Sequence, residues 1–243
     1  AGDVGRLDSV RAGTTRVQDA GSQLVARALA AVDIGDRTAD GSRDGEQWLD
    51  LCAGPGGKAA LLAALANEKG AILLANEPAV HRAKLVQQAL EAVPGEVWDV
   101  RTGDGRSIAD QYPDTFDRVL VDAPCTGLGA LRRRPESRWR RKPSDVGELG
   151  ALQRELLLAA VDAVKAGGVV AYVTCSPHPA ETTAVVSDVL RQRNDLELLD
   201  AGAALDGVSL TGNLGAGHES TAQLWPHIHA TDAMFLALIR RKP

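Results

Sequence analysis

The stretch that most constrains this chain runs from Phe116 to Gly127, FDRVLVDAPCTG. Val119, Leu120 and Val121 form a short unbroken apolar run, the pattern of a parallel strand buried on both faces. Pro124 has no amide hydrogen for further pairing, so the chain must leave the sheet near Asp122. In open α/β sheets, ligands occupy the crevice beyond the carboxyl ends of the strands, which puts Asp122 and Cys125 at that crevice. A second apolar strand, Val169 to Cys175, ends in the same way before Ser176 and Pro177. Two cysteines at two strand ends can face one pocket.

Elsewhere, strand and helix patterns alternate. Strands are expected at Trp48 to Cys52, Ile72 to Ala75, Val97 to Arg101, Phe116 to Val121, Val169 to Thr174, Leu196 to Leu199 and Met234 to Ile239. Helices are expected at Ala20 to Val32, where Leu24, Ala28 and Val32 share a stripe, and at Ala59 to Glu68, Ala79 to Ala92, Leu149 to Ala166 and Glu181 to Arg193. The first should cover one edge of the sheet, and Gly167-Gly168 reads as the stop signal of the fourth. Such alternation predicts an α/β fold: a doubly wound, mostly parallel, seven-stranded Rossmann-like sheet with helices on both faces. Arg6 to Val17 reads as a lead-in, and Arg37 to Gln47 as a polar loop. Ala201 to Ala230 shows no clear period, and loops of that length are usually functional or mobile.

With 243 residues, 44% of them hydrophobic, the chain can bury the core of a single domain. We divide it into a lead-in and covering helix, 1–46, and a catalytic domain, 47–243. The chain opens on Ala1 and its one methionine is Met234, so it is expected to be a piece of a longer protein. No apolar run approaches the roughly 20 residues that cross a bilayer, and no signal-peptide layout is present, so a cytoplasmic chain without a membrane partner is expected. Cys52, Cys125 and Cys175 are odd in number and lack C-x-x-C spacing, which argues for reduced thiols and against both a disulfide framework and a metal site. The net charge of -5 does not itself favour nucleic acid, but Arg132 to Lys142, RRRPESRWRRK, is a dense basic run around Trp139.

Asp122-Ala123-Pro124-Cys125 together with Thr174-Cys175-Ser176 resembles the paired cysteine motifs of the RNA cytosine-5 methyltransferases of the Sun/Fmu type, whose bacterial members modify 16S ribosomal RNA. Val17-Gln18-Asp19, the loop Asp50 to Lys58, Glu77, Gly103-Asp104, Trp225-Pro226-His227 and Thr231-Asp232 are similar to that family's motifs in the same order. The likeness covers nearly the whole chain. It departs at Glu181-Thr182-Thr183, where an acid-asparagine-acid cluster is usual, and at Ala230, Ala233 and Met234, where glycines and a phenylalanine are common. Members often carry an N-terminal RNA-binding domain, which is expected to precede Ala1.

The resemblance implies S-adenosylmethionine as cofactor. Cys52, Ala53, Gly54, Pro55, Gly56, Gly57 and Lys58 lie between a strand and a helix but match neither the dinucleotide nor the phosphate-loop pattern, which suits a nucleoside without phosphate. Glu77 ends the next strand, where an acid can accept both ribose hydroxyls. Asp104 is implied to contact the adenine; its bland alternative is a turn aspartate bonded to its own backbone. Asp50 is expected to order the loop, and Cys52 to be a small buried residue. Asp122 counts with both cofactor and chemistry, whereas His178, His227 and His229 share no metal-ligand pattern.

C5 of cytosine is too weak a nucleophile to take a methyl group until a thiolate adds at C6 and N3 receives a proton or hydrogen bond. By resemblance Cys175 is that nucleophile, Asp122 serves N3, and Cys125 assists release. A free thiol is only a few per cent ionised at neutral pH, so Cys175 needs positive surroundings, and Arg132 to Arg134 are the expected source. Arg132, Arg133, Arg134, Arg138, Trp139 and Arg140 are the expected RNA contacts, arginines on phosphate and tryptophan on a base. The rivals are a DNA cytosine-5 methyltransferase that uses Cys125 and a non-catalytic ribosome-assembly factor.

Overall fold

A computed structural model of the chain describes residues 4–35 and 45–243. Most of the stretch read as a polar loop, Arg37 to Gln47, therefore lies outside the described residues. A single turn, α1 (Asp8–Arg11), precedes α2 (Ala20–Ala31). The remaining elements are β1 (Gln47–Asp50), α3 (Gly57–Lys69), β2 (Ile72–Glu77), α4 (Val80–Leu90), β3 (Trp98–Thr102), α5 (Ile108–Gln111), β4 (Phe116–Asp122), α6 (Ser137–Arg140), α7 (Pro143–Ala163), β5 (Val164–Thr174), α8 (Thr183–Gln192), β6 (Leu196–Leu199), α9 (Ala201–Val208), β7 (Gly217–His218), β8 (Thr221–Gln223), α10 (Pro226–His229) and β9 (Phe235–Arg241).

The strands form one sheet in the order β3-β2-β1-β4-β5-β9-β8-β7, with β6 also on β9. From β3 to β5 all pairings are parallel, and β9 runs antiparallel to β5, β6 and β8. The seven expected strands are all present. The hairpin β7-β8 extends the sheet from within the stretch expected to lack regular structure. Successive side chains of each strand go to opposite faces, so Leu120 joins Trp48, Ala171 and the helices α2, α3, α4 and α9, whereas Val119 and Val121 join Tyr172 and the helices α7 and α8. Both faces of β4 are thus covered, as its unbroken apolar run requires.

Two boundaries and one placement differ from expectation for physical reasons. Gly167 and Gly168 do not stop α7; they lie inside β5, where the register with β4 jumps from Phe116–Val164 to Arg118–Val169. Residues 165–168 bulge opposite Asp117, and Gly167 takes a φ of 77° that favours glycine there. α7 begins at Pro143, whose fixed φ suits a first helical turn, and the Lys142 amide donates to the Asp145 carboxylate. α2 lies over a face of the sheet against β4 and β5, not along an edge. Its last carbonyls, Leu29 and Val32, accept from the buried Arg118 guanidinium, which also pairs with Glu46 and lies over Trp48.

The order in which strands are added reverses between the parallel neighbours β1 and β4: β2 and β3 build outward on one side, β5 and β9 on the other. The crevice at that switch point is the natural ligand site of an open α/β sheet.

Candidate active site

The crevice is a cavity of about 770 Å³ above the carboxyl ends of β1 to β5. The loop after β1 supplies its floor. Leu51 N–H donates to Leu120 O and Ala53 N–H to Asn76 O, pinning the loop to both neighbouring strands. Cys52, Ala53, Gly54, Pro55, Gly57 and Lys58 line the cavity. Gly56 does not: it faces α4, where a Cβ would lie 2.4 Å from Ala89 Cβ, and its φ of 106° starts α3. Glycine is needed there for packing and backbone shape.

Glu77, 2% exposed, ends β2 with its carboxylate held by Gly54 N–H and Ala79 N–H, each at 3.1 Å, and with Arg82 at 3.5 Å. A Cβ on Gly54 would sit 2.2 Å from Glu77 Oε2, so only glycine lets the loop and this acid meet. Arg82 also donates to Gly54 O at 2.6 Å, closing the loop from outside. Asp104 lines the cavity after β3, and its carboxylate accepts from the Arg106 amide at 2.9 Å and from the Arg106 guanidinium. Those bonds are the turn arrangement that is its structural alternative, and they lower the pKa of Asp104, the Arg106 side chain most.

Asp50, at the end of β1, is completely buried, and neither carboxyl oxygen has a side-chain partner among the described residues. Burial, helped by the charge of Asp122, pushes it up to about 8, against the opposing pull of Lys58 and of the Cys52 amide. It is therefore protonated at neutral pH. Burial and the surrounding carboxylates likewise push the Cys52 thiol well up, leaving it inert.

Lys58, one residue into α3, reaches Asp122 Oδ2 at 2.8 Å. Burial alone would lower its pKa, but the Asp122 carboxylate more than compensates, and Lys58 stays protonated. Beyond Asp122, the loops after β4 and β5 bring Cys125 Sγ within 3.4 Å of Cys175 Sγ. The two thiols are pushed apart in acidity. The Cys125 hydrogen bond, aided by Lys58, lowers Cys175 against burial and the charge of Asp122. The same hydrogen bond, then burial, holds Cys125 well up. Of the two thiols, Cys175 is the more readily ionised.

The arginines expected to ionise Cys175 have other work. Arg133 lies on the buried Asp232 carboxylate, with Nε at 3.0 Å from Oδ1, and Arg132 on Asp19 at 3.0 Å. Asp19 in turn accepts from the Asp232 and Gly21 amides. These acids answer the arginines and tie the basic loop to the start of α2 and the approach to β9. Arg133 and Arg134 still line the cavity, Arg133 with only a weak electrostatic reach to Cys175. Arg138 lies over the ring of Trp139, itself 76% exposed; these two, Arg132 and Arg140 lie outside the cavity lining. His178 and His229 accept from backbone amides in their own turns.

Sequence reasoning missed Asp19, Asp232, Arg82 and Arg141 as structural partners of the site. Arg141 donates to the carbonyls of Cys125 and Thr126. Asp19 and Asp232 carried a signal, since both fall in segments that resemble family motifs, but only the fold shows that they meet.

A family model described as 16S rRNA methyltransferase RsmB/F matches residues 40–240. Mycobacterium tuberculosis Rv1407 (strain ATCC 25618 / H37Rv), named as a candidate methyltransferase, is 55% identical over 240 residues, 99% of this chain and 49% of that protein. Ribosomal RNA small subunit methyltransferase B of Serratia proteamaculans (strain 568) is 39% identical over 191 residues, 78% of this chain and 41% of that protein. The chain spans about half the length of the curated relatives it matches. Among solved structures, PH0851 superposes with a TM-score of 0.83 at 28% identity, covering 99% of this chain and 50% of that one.

Proposed function

The chain belongs to the 16S rRNA methyltransferase RsmB/F family, and from that premise we propose that it transfers a methyl group from S-adenosylmethionine to C5 of a cytosine in RNA, ribosomal RNA first. The observation that carries this reading is the thiol pair in the cavity, 3.4 Å apart, with Cys175 the more acidic of the two. The same split argues against a DNA-type enzyme attacking through Cys125, the protonated partner.

The cavity suits the cofactor. Glu77, Asp104 and Asp122 line the cavity as hydrogen-bond acceptors, each already paired with a cation (Arg82, Arg106 and Lys58), and the protonated Asp50 beneath the loop adds no further charge. Glu77 stands where ribose hydroxyls can be accepted, between Gly54 and Ala79. When bound, S-adenosylmethionine supplies a methyl group on an electron-poor sulfonium.

This chain's residues do the rest. The Cys175 thiolate bonds to C6 of the cytosine, and the ring electrons displaced by that bond make C5 nucleophilic. The charge that develops toward N3 is met by Asp122 together with Lys58, whose ammonium supplies the proton. Once Cys175 is bound to carbon, Cys125 loses the sulfur that held its proton. Its proton can then pass to solvent, and as thiolate Cys125 takes the C5 proton; the C6–sulfur bond breaks, the N3 proton returns to Asp122 and Lys58, and Cys175 leaves as thiolate. Arg134, Arg138, Trp139 and Arg140 hold the RNA strand at the rim. A paired target base must flip out to reach the cavity.

The test is transfer of a labelled methyl group into unmodified 16S ribosomal RNA, followed by digestion to nucleosides. The account expects label in 5-methylcytidine, lost in C175A. Label in another nucleoside, or full activity in C175A, would refute it; no incorporation would favour the assembly-factor reading.

A further inference from the structure

Beneath the thiol pair lies an acid that the proposed chemistry does not use. Glu181 is fully buried at the end of a short turn, Pro179–Glu181, six residues after Cys175. Its Oε1 accepts from Thr126 N–H at 2.8 Å and Gln153 Nε2 at 3.3 Å, and its Oε2 from Thr126 Oγ1 at 2.5 Å and Ser176 Oγ at 2.6 Å. Thr126 follows Cys125 and Ser176 follows Cys175. One carboxylate therefore holds the residues immediately after both cysteines.

Three further contacts brace this centre. Tyr172 Oη donates to Glu181 O at 2.8 Å, fixing the turn to β5. Gln153 Nε2, from α7, also donates to Pro124 O at 2.8 Å. Ser176 Oγ accepts from His178 N–H at 3.1 Å, so its hydroxyl hydrogen is left for Glu181. The two loops also meet through Gly129 N–H on Cys175 O at 2.9 Å, a backbone bond that Glu181 does not touch.

We propose that Glu181 is a positioning residue which clamps the loops after β4 and β5 together and so sets the sulfur–sulfur contact that makes Cys175 reactive. This rests on the reading of Cys175 as nucleophile. A hydrogen bond between sulfurs at 3.4 Å is lost with a small separation of the loops, and with it goes the preference for thiolate at Cys175. Glu181 touches neither cavity nor thiols, so its effect passes through Thr126 and Ser176.

The first readout needs neither RNA nor cofactor. Alkylation of Cys175 by iodoacetamide, followed by peptide mass spectrometry across pH, reports its ionisation. E181A should raise the midpoint by about one pH unit or more and slow methyl transfer at least about tenfold, with KM for the methyl donor within about twofold. E181Q should restore the midpoint, because its oxygen can serve the two N–H donors while its amide donates to the two hydroxyls, which turn to accept. If E181A does not fold, T126V and S176A decide: each removes one hydroxyl from the clamp and should raise the midpoint by a smaller amount. An unchanged midpoint in folded E181A, or in both single-hydroxyl variants, overturns the proposal. The wild-type midpoint is measured without methyl transfer, so a failure of the methyltransferase reading would show separately.

Discussion

Asp50 offers a perturbation whose size follows from the structure. An unfolded chain releases this proton near the ordinary value of 3.8, whereas the folded chain keeps it to about 8. Between those values the unfolded state gains from ionisation and the folded state does not, so this residue lowers stability as pH rises through that window and has no further effect above it. From pH 5 to pH 8 the loss amounts to about 4 kcal/mol, at about 1.4 kcal/mol per pH unit. Asn in its place keeps the shape but cannot ionise in either state. Thermal unfolding of the wild-type chain and D50N, followed by circular dichroism at several pH values, separates this residue from all other titrating groups. D50N should gain on wild type by about 10 °C between pH 5 and pH 8, since each kcal/mol moves the midpoint of a chain this size by about 2–4 °C. Curves that run parallel over that range, or a gap that closes with rising pH, would refute the protonated, buried Asp50.

Removing the donor thiol in C125A should raise the alkylation midpoint of Cys175, so that its reactivity with iodoacetamide at neutral pH falls while that at pH 10 is unchanged. E77A should weaken binding of S-adenosylmethionine at least about tenfold by calorimetry, because the variant leaves the Gly54 and Ala79 amides without their acceptor and the ribose without an acid. The basic loop should divide into two kinds of residue. R133A leaves the buried Asp232 short of its partner and should cost about 1–3 kcal/mol of stability in denaturant unfolding, whereas W139A should leave stability unchanged and weaken RNA binding by about 1–3 kcal/mol in a filter-binding assay.

How much of this was legible depends on whether the deciding contact is local. The run Val119 to Val121 followed by Pro124 states its own burial and exit, and the alternation of apolar strands and helical stripes gives the sheet. The strand-end placement of Cys125 and Cys175 follows from the same logic. Gly167-Gly168 misleads because a glycine pair after a helix is a stop signal, and only the register of β4 beside it shows a bulge inside a strand. The hairpin β7-β8 has strands of two and three residues, too short to show a period. Arg132 and Arg133 read as free positive charge because Asp19 and Asp232, which engage them, lie far away in sequence. Glu181 read as the one surviving acid of an altered cluster; its four donors come from three separate segments.

The central claim is that the sulfur of residue 175 bonds to the target pyrimidine while that of residue 125 governs release. The most direct measurement incubates C125A with unmodified 16S ribosomal RNA and S-adenosylmethionine, separates protein under denaturing conditions, and maps any attached nucleotide by mass spectrometry. The account predicts a stable cytidine adduct on the peptide carrying Cys175, absent from C175A and from the double variant. An adduct that forms on Cys125 when Cys175 is replaced, or steady turnover by C175A with no adduct at all, would contradict it.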